Sequence, residues 1–221
     1  MFKYIILDMG KVLVEPTTGY WTITPTFRKN VDIDKIDKNR LKEAVKSCSI
    51  YLDGRAKNLE EEYNVILKYY IELFKAVEYA IPEQNLENIV RDFVYNENDN
   101  KYYLYDDVKE ELQRLSKNHT ILMLSDNWPC AGEYLKKYDI YKFFTKIYIS
   151  SVYGVQKKEG IFFNYPINDF KIKKGEALFI DDNEGLLDIA AEKGLDVMLM
   201  DRRNTVEKSK YKVIHSLKEI L

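Results

Sequence analysis

The stretch that decides the fold is Tyr4-Ile5-Ile6-Leu7-Asp8-Met9-Gly10. A short apolar run of this kind is typical of a strand that is buried on both faces. An unpaired carboxylate in the middle of such a strand is strongly unfavourable, because the charge loses its hydration. Asp8 directly follows the run, so we expect it at the carboxyl end of the strand, where open α/β sheets bind ligands. An isolated Asp-x-Gly also begins ordinary turns, so the interpretation depends on the rest of the chain.

The composition indicates a folded protein without an electrostatic preference for nucleic acid. The chain has 221 residues, is 46% hydrophobic and carries a formal net charge of -2, so it can form one core with a smaller insert. Cys48 and Cys130 are far apart and show no metal-binding spacing, which favours free thiols in a reducing compartment. With only His119 and His215, a histidine-based metal centre is not expected. We see neither a signal peptide nor a run of about 18 apolar residues, so we expect a soluble, cytoplasmic protein with no membrane partner.

The segment after the first strand is predicted to be helical. Apolar residues recur with a helical period over residues 36–51 and 59–79. Pro82 suits the first turn of a third helix that ends near Tyr95. Residues 15–30 are rich in Thr, Pro and aromatic residues, and we expect them to be irregular. No strand is predicted between these helices.

Beyond a polar linker at residues 96–100 the pattern changes to alternating strands and helices. Strands are predicted over 120–124, 146–149, 177–180 and 196–200, and helices over 106–115, 130–138, 160–167 and 184–193. This alternation indicates a mostly parallel α/β sheet, which the first strand must join because it is not stable alone. We therefore predict a core domain from residues 1–15 and 99–221. Residues 16–98 would form an all-helical cap domain, inserted after the first strand and able to act as a lid.

Polar side chains stand at the carboxyl ends of these strands. Asp8, Ser125 and the pair Asp181-Asp182 each end an apolar strand, and Lys157 lies after a fourth. In one parallel sheet such ends meet at a single crevice. The combination suits phosphoryl transfer, with Asp8 attacking phosphorus and Mg²⁺ held by Asp8, a backbone carbonyl and Asp182. Ser125 and nearby backbone N–H groups would hold phosphate oxygens, and Lys157 would offset the negative charges.

Four motifs in this order and spacing resemble those of the haloacid dehalogenase (HAD) superfamily: Asp8-Met9-Gly10-Lys11-Val12, Leu124-Ser125-Asp126-Asn127, Gly154-Val155-Gln156-Lys157 and Phe179-Ile180-Asp181-Asp182. The resemblance covers nearly the whole chain and includes the position of the helical cap. It implies a Rossmann-like core and, for most members, Mg²⁺-dependent phosphatase activity through an aspartyl-phosphate.

The resemblance also implies a role for each site residue. Asp8 is the nucleophile and a metal ligand, and Gly10 offers its backbone carbonyl to the metal. Asp182 is the direct metal ligand, with Asp181 supporting it. Phosphate is bound by Ser125, Asp126 and Asn127 together with Lys157, which is the catalytic motif lysine.

One departure from the superfamily pattern concerns the general acid. Phosphatases of the superfamily usually carry a second Asp two residues after the nucleophile, and here that position is Gly10. A general acid typically contributes about 10²–10⁴-fold to the rate. The sequence leaves three explanations open. The substrate has a good leaving group; or Lys11, Glu15 or Asp126 replaces the acid; or the protein is weakly active or inactive.

These observations favour a phosphatase that acts on a small phosphorylated metabolite. The alternative is a catalytically silent member of the superfamily that binds a phosphorylated ligand or protein partner in the same crevice. A hydrolytic dehalogenase is a third hypothesis, but it has no use for a metal, and the pair Asp181-Asp182 therefore argues against it. The sequence does not distinguish a monomer from a homodimer, and the identity of the substrate is expected to depend on the cap.

Overall fold

The computed structural model describes residues 2–52, 55–97 and 101–220. The chain divides into two units. One, the parallel-sheet unit, comprises Met1–Glu15, Leu104–Asn127 and Leu135–Leu221; the other, the helical unit, comprises Pro16–Tyr103 and Trp128–Tyr134. The domain boundary predicted between residues 98 and 99 lies outside the described residues.

The strands of the described residues are β1 (Tyr4–Leu7), β2 (Val14–Pro16), β3 (Tyr102–Leu104), β4 (Thr120–Ser125), β5 (Lys146–Ile149), β6 (Ala177–Asp181), β7 (Asp196–Met200) and β8 (Val213–Ile214). Six of them form one sheet in the order β5-β4-β1-β6-β7-β8, and its neighbouring strands pair in parallel. Numbered along the chain, this is the 3-2-1-4-5-6 order of Rossmann folds, in which the winding direction reverses beside the first strand. The predicted fold class, a Rossmann-like α/β fold, is confirmed. The short strands β2 and β3 form a separate two-stranded sheet.

The helices of the described residues are α1 (Pro25–Asn30), α2 (Lys38–Cys48), α3 (Leu59–Ala76), α4 (Glu83–Tyr95), α5 (Val108–Leu115), α6 (Cys130–Lys137), α7 (Ser150–Tyr153), α8 (Asn164–Phe170) and α9 (Glu184–Glu192). The first four lie in the helical unit, and three of these match the helices predicted there. Within residues 2–52, 55–97 and 101–220, no helix combines the length and the apolar content needed to cross a bilayer.

The sheet is buried on both faces, as its apolar strands predict. Every residue of β1 is buried, although successive side chains point to opposite faces. Ile6 packs in one cluster with Leu122 and Phe179 of the neighbouring strands, and Ile5 on the opposite face is also fully buried. Parallel sheets require such two-sided cover, because their crossover helices lie against the faces.

The prediction that residues 15–30 are irregular holds for residues 17–24 and is wrong for the two ends, which contain part of β2 and the short helix α1. Thr24 caps this helix by accepting a hydrogen bond from the Phe27 backbone N–H at 3.1 Å. Pro25 occupies the first turn, where its missing N–H and fixed φ are tolerated. Phe27 is fully buried and stacks on Phe74 of α3 with 5.6 Å between ring centroids. A capping residue and a buried aromatic side chain therefore stabilise this helix, which is too short to show the helical repeat of apolar residues in the sequence.

The helix predicted over 160–167 is also different in the structure. Gly160 has a φ of +73°, which ends the preceding short helical turn rather than continuing it. A 3₁₀ helix over Ile161–Phe163 follows and leads into α8. Phe162 and Phe163 are fully buried, so packing against the sheet and not helix periodicity determines this segment.

Asp107, at the start of α5, joins distant parts of the parallel-sheet unit. Both of its carboxylate oxygens accept hydrogen bonds from Arg202 Nη1 at 2.8 Å, and one also accepts from Ser216 and from the Leu217 backbone N–H, each at 2.7 Å. Burial by itself would raise the pKa of Asp107, but the hydrogen bonds from Arg202 and Ser216 outweigh it and hold the pKa below its ordinary value.

We expect Asp107→Asn to destabilise the protein by about 1–3 kcal/mol near neutral pH, because charge-assisted hydrogen bonds are lost. The pKa of Asp107 is lower in the folded than in the unfolded state. The carboxylate therefore stabilises the fold fully at pH values above its unfolded-state pKa, and this stabilisation is lost as the pH falls through its folded-state pKa. The difference from wild type should therefore shrink below about pH 4. Denaturant unfolding at a series of pH values measures this, with the exposed neighbour Asp106→Asn as the control. A difference that persists unchanged at pH 3 would contradict it.

Candidate active site

Asp8 lies at the reversal point of the sheet. Leu7, the last residue of β1, pairs with Met123 of β4 on one side and with Ile180 of β6 on the other. The Asp8 backbone N–H donates to the Ile180 carbonyl at 3.0 Å, so the residue following β1 is held beside the end of β6. Asp181 ends β6. The two carboxylates thus stand at the carboxyl ends of adjacent strands, at the edge where Rossmann folds bind their ligands.

Three carboxylates form an acidic cluster at this edge. Asp8, Asp181 and Asp182 each offer an oxygen, and these oxygens lie within 4.8 Å of one another. Two ligands on opposite sides of one Mg²⁺ lie about 4.2 Å apart, since each Mg–O distance is about 2.1 Å. The cluster therefore has the ligand chemistry of a Mg²⁺ site, and its oxygens lie near the largest separation that one ion can bridge.

Lys157 lies between two of these carboxylates. Its ammonium is 2.9 Å from Asp8 Oδ1 and 2.6 Å from Asp181 Oδ2, and the side chain is only 3% exposed. The Lys157 backbone N–H donates to Asp126 Oδ1 at 3.0 Å, which fixes the start of a 3₁₀ helix over Lys157–Glu159. The second oxygen of Asp181 accepts the Asn183 backbone N–H at 2.9 Å. Both oxygens of Asp181 therefore have partners within the protein.

The electrostatics of the cluster follow from its burial and its charges. Burial raises the pKa of Asp181; the Lys157 charge offsets part of this rise, and the Asp8 carboxylate adds to it. For Lys157, burial by itself lowers the pKa, but the neighbouring carboxylates outweigh it, and the net direction is upward. Lys157 is therefore held as a cation, so it balances part of the negative charge that the carboxylates concentrate here.

Three of the predicted phosphate-binding residues, Ser125, Asp126 and Asn127, lie at the end of β4 and directly after it. Ser125 ends this strand and is buried. The Asn127 side chain donates to Met9 Sδ at 3.4 Å, which places it next to the Asp8 turn. The Asn127 backbone N–H donates to Ser150 Oγ at 3.0 Å. Ser150 was not among the predicted site residues, although its position directly after strand β5 is the signal that could have indicated it.

Lys11 has a contact that the sequence analysis did not foresee. Its ammonium is 2.8 Å from Asp182 Oδ2, so the outermost carboxylate of the cluster is also paired. The backbone of Lys11 adopts a φ of +54°, within the turn that follows β1. Glu15, another candidate for the missing acid, is buried and accepts hydrogen bonds from Tyr105 and Arg203. Of the three candidates for the acid, Lys11 and Asp126 have contacts with the cluster or with Lys157.

Lys157→Met should destabilise the protein by about 3–5 kcal/mol, because it leaves two buried carboxylates without their cation. Denaturant unfolding in the presence of EDTA measures this loss without a contribution from metal binding. The adjacent Lys158 is exposed, and Lys158→Met is expected to stay within about 0.5 kcal/mol of wild type. Equal stabilities of the two variants would show that Lys157 is not needed to balance the cluster.

The haloacid dehalogenase-like hydrolase family matches residues 2–193 of the chain. The match covers most of the sequence, and the sheet order and the acidic cluster agree with it. The chain therefore belongs to the haloacid dehalogenase-like hydrolase family, and the resemblance seen in the four motifs is confirmed.

Solved structures of this fold extend over nearly the whole chain. L-2-haloacid dehalogenase from Xanthobacter autotrophicus, with chloropropionic acid covalently bound, is similar with a TM-score of 0.70 and 12% identity, covering 100% of this chain and 97% of that one. The magnesium-bound HAD-hydrolase YfnB from Bacillus subtilis has a TM-score of 0.66 and 17% identity, covering 99% and 96%. A HAD-like family hydrolase from Porphyromonas gingivalis has a TM-score of 0.58 and 20% identity, covering 93% and 94%. A search of curated proteins found no match.

Proposed function

We propose that the protein is a Mg²⁺-dependent phosphatase of small phosphorylated metabolites that works through an aspartyl-phosphate at Asp8. The observation that carries this proposal is the acidic cluster: three carboxylates with oxygens within 4.8 Å of one another, at the reversal point of the sheet. A nucleophilic Asp does not by itself require two further carboxylates beside it, whereas carboxylate oxygens are the ligands that a hard divalent cation prefers. Asp8 and Asp182 are the proposed protein ligands, together with the Gly10 carbonyl, and Asp181 is the supporting residue.

The proposed chemistry begins with Asp8. A carboxylate oxygen attacks phosphorus, the new O–P bond forms as the ester P–O bond breaks, and the leaving group departs with the electron pair. Water then attacks the phosphoryl group of the aspartyl-phosphate, which releases inorganic phosphate and restores the Asp8 carboxylate. When bound, Mg²⁺ would supply positive charge that lets a phosphate dianion approach the carboxylates.

The other side chains of the site would hold the phosphoryl group in line with Asp8. Lys157 already lies 2.9 Å from the Asp8 carboxylate, so its charge is available both to the nucleophile and to a phosphate oxygen. Ser125, at the end of β4, and Asp126 and Asn127, which follow it, are the proposed phosphate-binding residues, with hydroxyl and N–H groups as donors.

Dehalogenation is the competing activity, because L-2-haloacid dehalogenase shares the fold. A carboxylate nucleophile serves both reactions. The pair Asp181-Asp182 favours the phosphatase, since displacement of a halide from carbon does not require a cation at the nucleophile. The cluster here has three carboxylates against two lysines, so a bound cation would balance its excess negative charge.

The test measures phosphate release from p-nitrophenyl phosphate and from a panel of phosphorylated metabolites, with Mg²⁺ and with EDTA. We expect turnover that requires Mg²⁺ and stops when EDTA removes it. L-2-chloropropionate is assayed in parallel for chloride release, which we expect to be absent. Chloride release without phosphate release would replace the proposal by a dehalogenase, and binding of phosphorylated compounds without turnover would identify a silent member of the family.

A further inference from the structure

A cavity of about 270 Å³ begins at the acidic cluster, within the parallel-sheet unit. Its lining includes Lys11, Asp182, Asp201, Arg203 and Thr205. Asp182 belongs both to this cavity and to the cluster, so the cavity adjoins the site at which Asp8 would meet its ligand. The proposed phosphatase chemistry uses the cluster but does not account for the cavity.

Two charged side chains of the cavity wall serve the fold. Arg202 donates to both oxygens of Asp107 and to the Val12 carbonyl, and its side chain is only 5% exposed. Asp201 accepts backbone N–H groups at 2.7 Å from Thr205 and 2.8 Å from Val206, which holds the loop after β7. Arg202 is paired with a carboxylate, whereas the donors to Asp201 are neutral backbone N–H groups and leave its negative charge at the cavity wall. Both residues hold the shape of the cavity.

The two basic residues that reach solvent at this cavity are Lys11 and Arg203, with side chains 48% and 61% exposed. Arg203 is oriented by a buried carboxylate, because it pairs with Glu15, which also accepts from the Tyr105 hydroxyl. A guanidinium has five N–H donors in a planar fork, so contact with one carboxylate is compatible with binding a second. Lys11 has three donors and uses one contact to Asp182.

We propose that this cavity is a subsite for a carboxylate group of the substrate, held by Arg203 and Lys11. The inference rests on the proposed function and narrows its substrate class to small phosphorylated carboxylic acids. The planar fork of Arg203 matches a carboxylate. A singly charged group also suits this wall better than a second phosphate dianion, since Asp182 and Asp201 share it.

The test compares two probes that differ only at one end. 3-Phosphoglycerate carries a carboxylate where glycerol 3-phosphate carries a neutral hydroxymethyl group. Their affinities are measured by calorimetry in Mg²⁺ buffer with the Asp8→Asn protein, so that no turnover interferes. We expect 3-phosphoglycerate to bind at least about 10-fold more tightly, the difference that one good charge-assisted contact makes.

Arg203→Met, in the same Asp8→Asn background, should remove this preference and leave the affinity for glycerol 3-phosphate unchanged, which also shows that the site is intact. Arg203→Lys keeps the charge without the fork and should retain part of the preference. Lys208→Met removes a positive charge from an exposed position of the same loop, and we expect it to keep the full preference.

Equal affinities of the Asp8→Asn protein for the two probes would overturn the proposed subsite. Failure of both probes to bind would overturn it as well. A preference that survives Arg203→Met would overturn the role of Arg203. A separate measurement distinguishes failure of the proposed function from failure of the subsite. If the proposed function is wrong, the wild-type protein will show no Mg²⁺-dependent turnover of p-nitrophenyl phosphate, whatever the binding experiment shows.

Discussion

Asp8→Asn is expected to lower kcat for p-nitrophenyl phosphate by at least about 10⁴-fold, which is the scale of loss when a covalent nucleophile is removed. An amide is a poor nucleophile, and it also removes one charge from the acidic cluster. The effect should appear in kcat rather than in KM alone, because the new O–P bond cannot form. Single-turnover experiments with a radiolabelled phosphoryl donor should label the wild-type protein and leave the variant unlabelled.

Asp196→Asn is the matched control. Asp196 begins β7, so it lies at the opposite end of a strand from the acidic cluster, and it is exposed. We expect this variant to keep wild-type kinetics. If Asp8→Asn retained more than about one hundredth of the wild-type rate, another group would have to be the nucleophile, and the proposed mechanism would be wrong.

A steep dependence on the leaving group is the second expected result. Gly10 has no side chain to protonate the departing oxygen, so the leaving group must carry its own negative charge. p-Nitrophenolate does this readily, whereas an alkoxide does not. We expect kcat/KM for p-nitrophenyl phosphate to exceed that for benzyl phosphate, an ester of similar size, by about 10²–10⁴-fold, the usual contribution of a general acid.

Gly10→Asp should narrow this gap by raising the rate with benzyl phosphate more than the rate with p-nitrophenyl phosphate. Gly132→Asp is the control, because an added Cβ there meets no atom within 4 Å, and it should leave the ratio unchanged. Similar rates for the two esters in the wild-type protein would mean that a proton donor is already present. Lys11 and Asp126 would then be substituted first, since Lys11 contacts Asp182 and Asp126 contacts the Lys157 backbone.

The regular elements were predictable to the extent that each has a local signal. Lys146–Ile149 and Asp196–Met200 are strands with the predicted bounds, and β4 and β6 extend one residue further than predicted. These strands are apolar runs whose later residues are buried, a pattern that is complete within four to six residues. Helix α1 has no such pattern, because a six-residue helix makes fewer than two turns. Its stability comes from the cap at Thr24 and the burial of Phe27.

In the candidate site, too, the features with a local sequence signal were predictable and the contacts between distant residues were not. The order of the four motifs predicted the family and the sheet edge at which Asp8 and the Asp181-Asp182 pair meet. The pairing of Lys11 with Asp182 joins residues 171 positions apart, and no local pattern encodes which of several carboxylates a flexible lysine reaches. The subsite at Arg203 was missed for the same reason, since Glu15, which orients it, is 188 positions away.

The sequence by itself determined where strands and helices alternate and which strand ends carry carboxylates. It also determined that Gly10, two residues after the proposed nucleophile Asp8, has no side chain that could act as a general acid. Backbone preference and apolar period act between near neighbours, so the local sequence already carries the preference for these elements before the chain folds. Only the tertiary structure decided which charges meet: Lys157 between Asp8 and Asp181, Lys11 on Asp182, and Arg203 on Glu15. Ion pairs form over a few ångströms, and folding alone brings residues so distant in the chain to that separation.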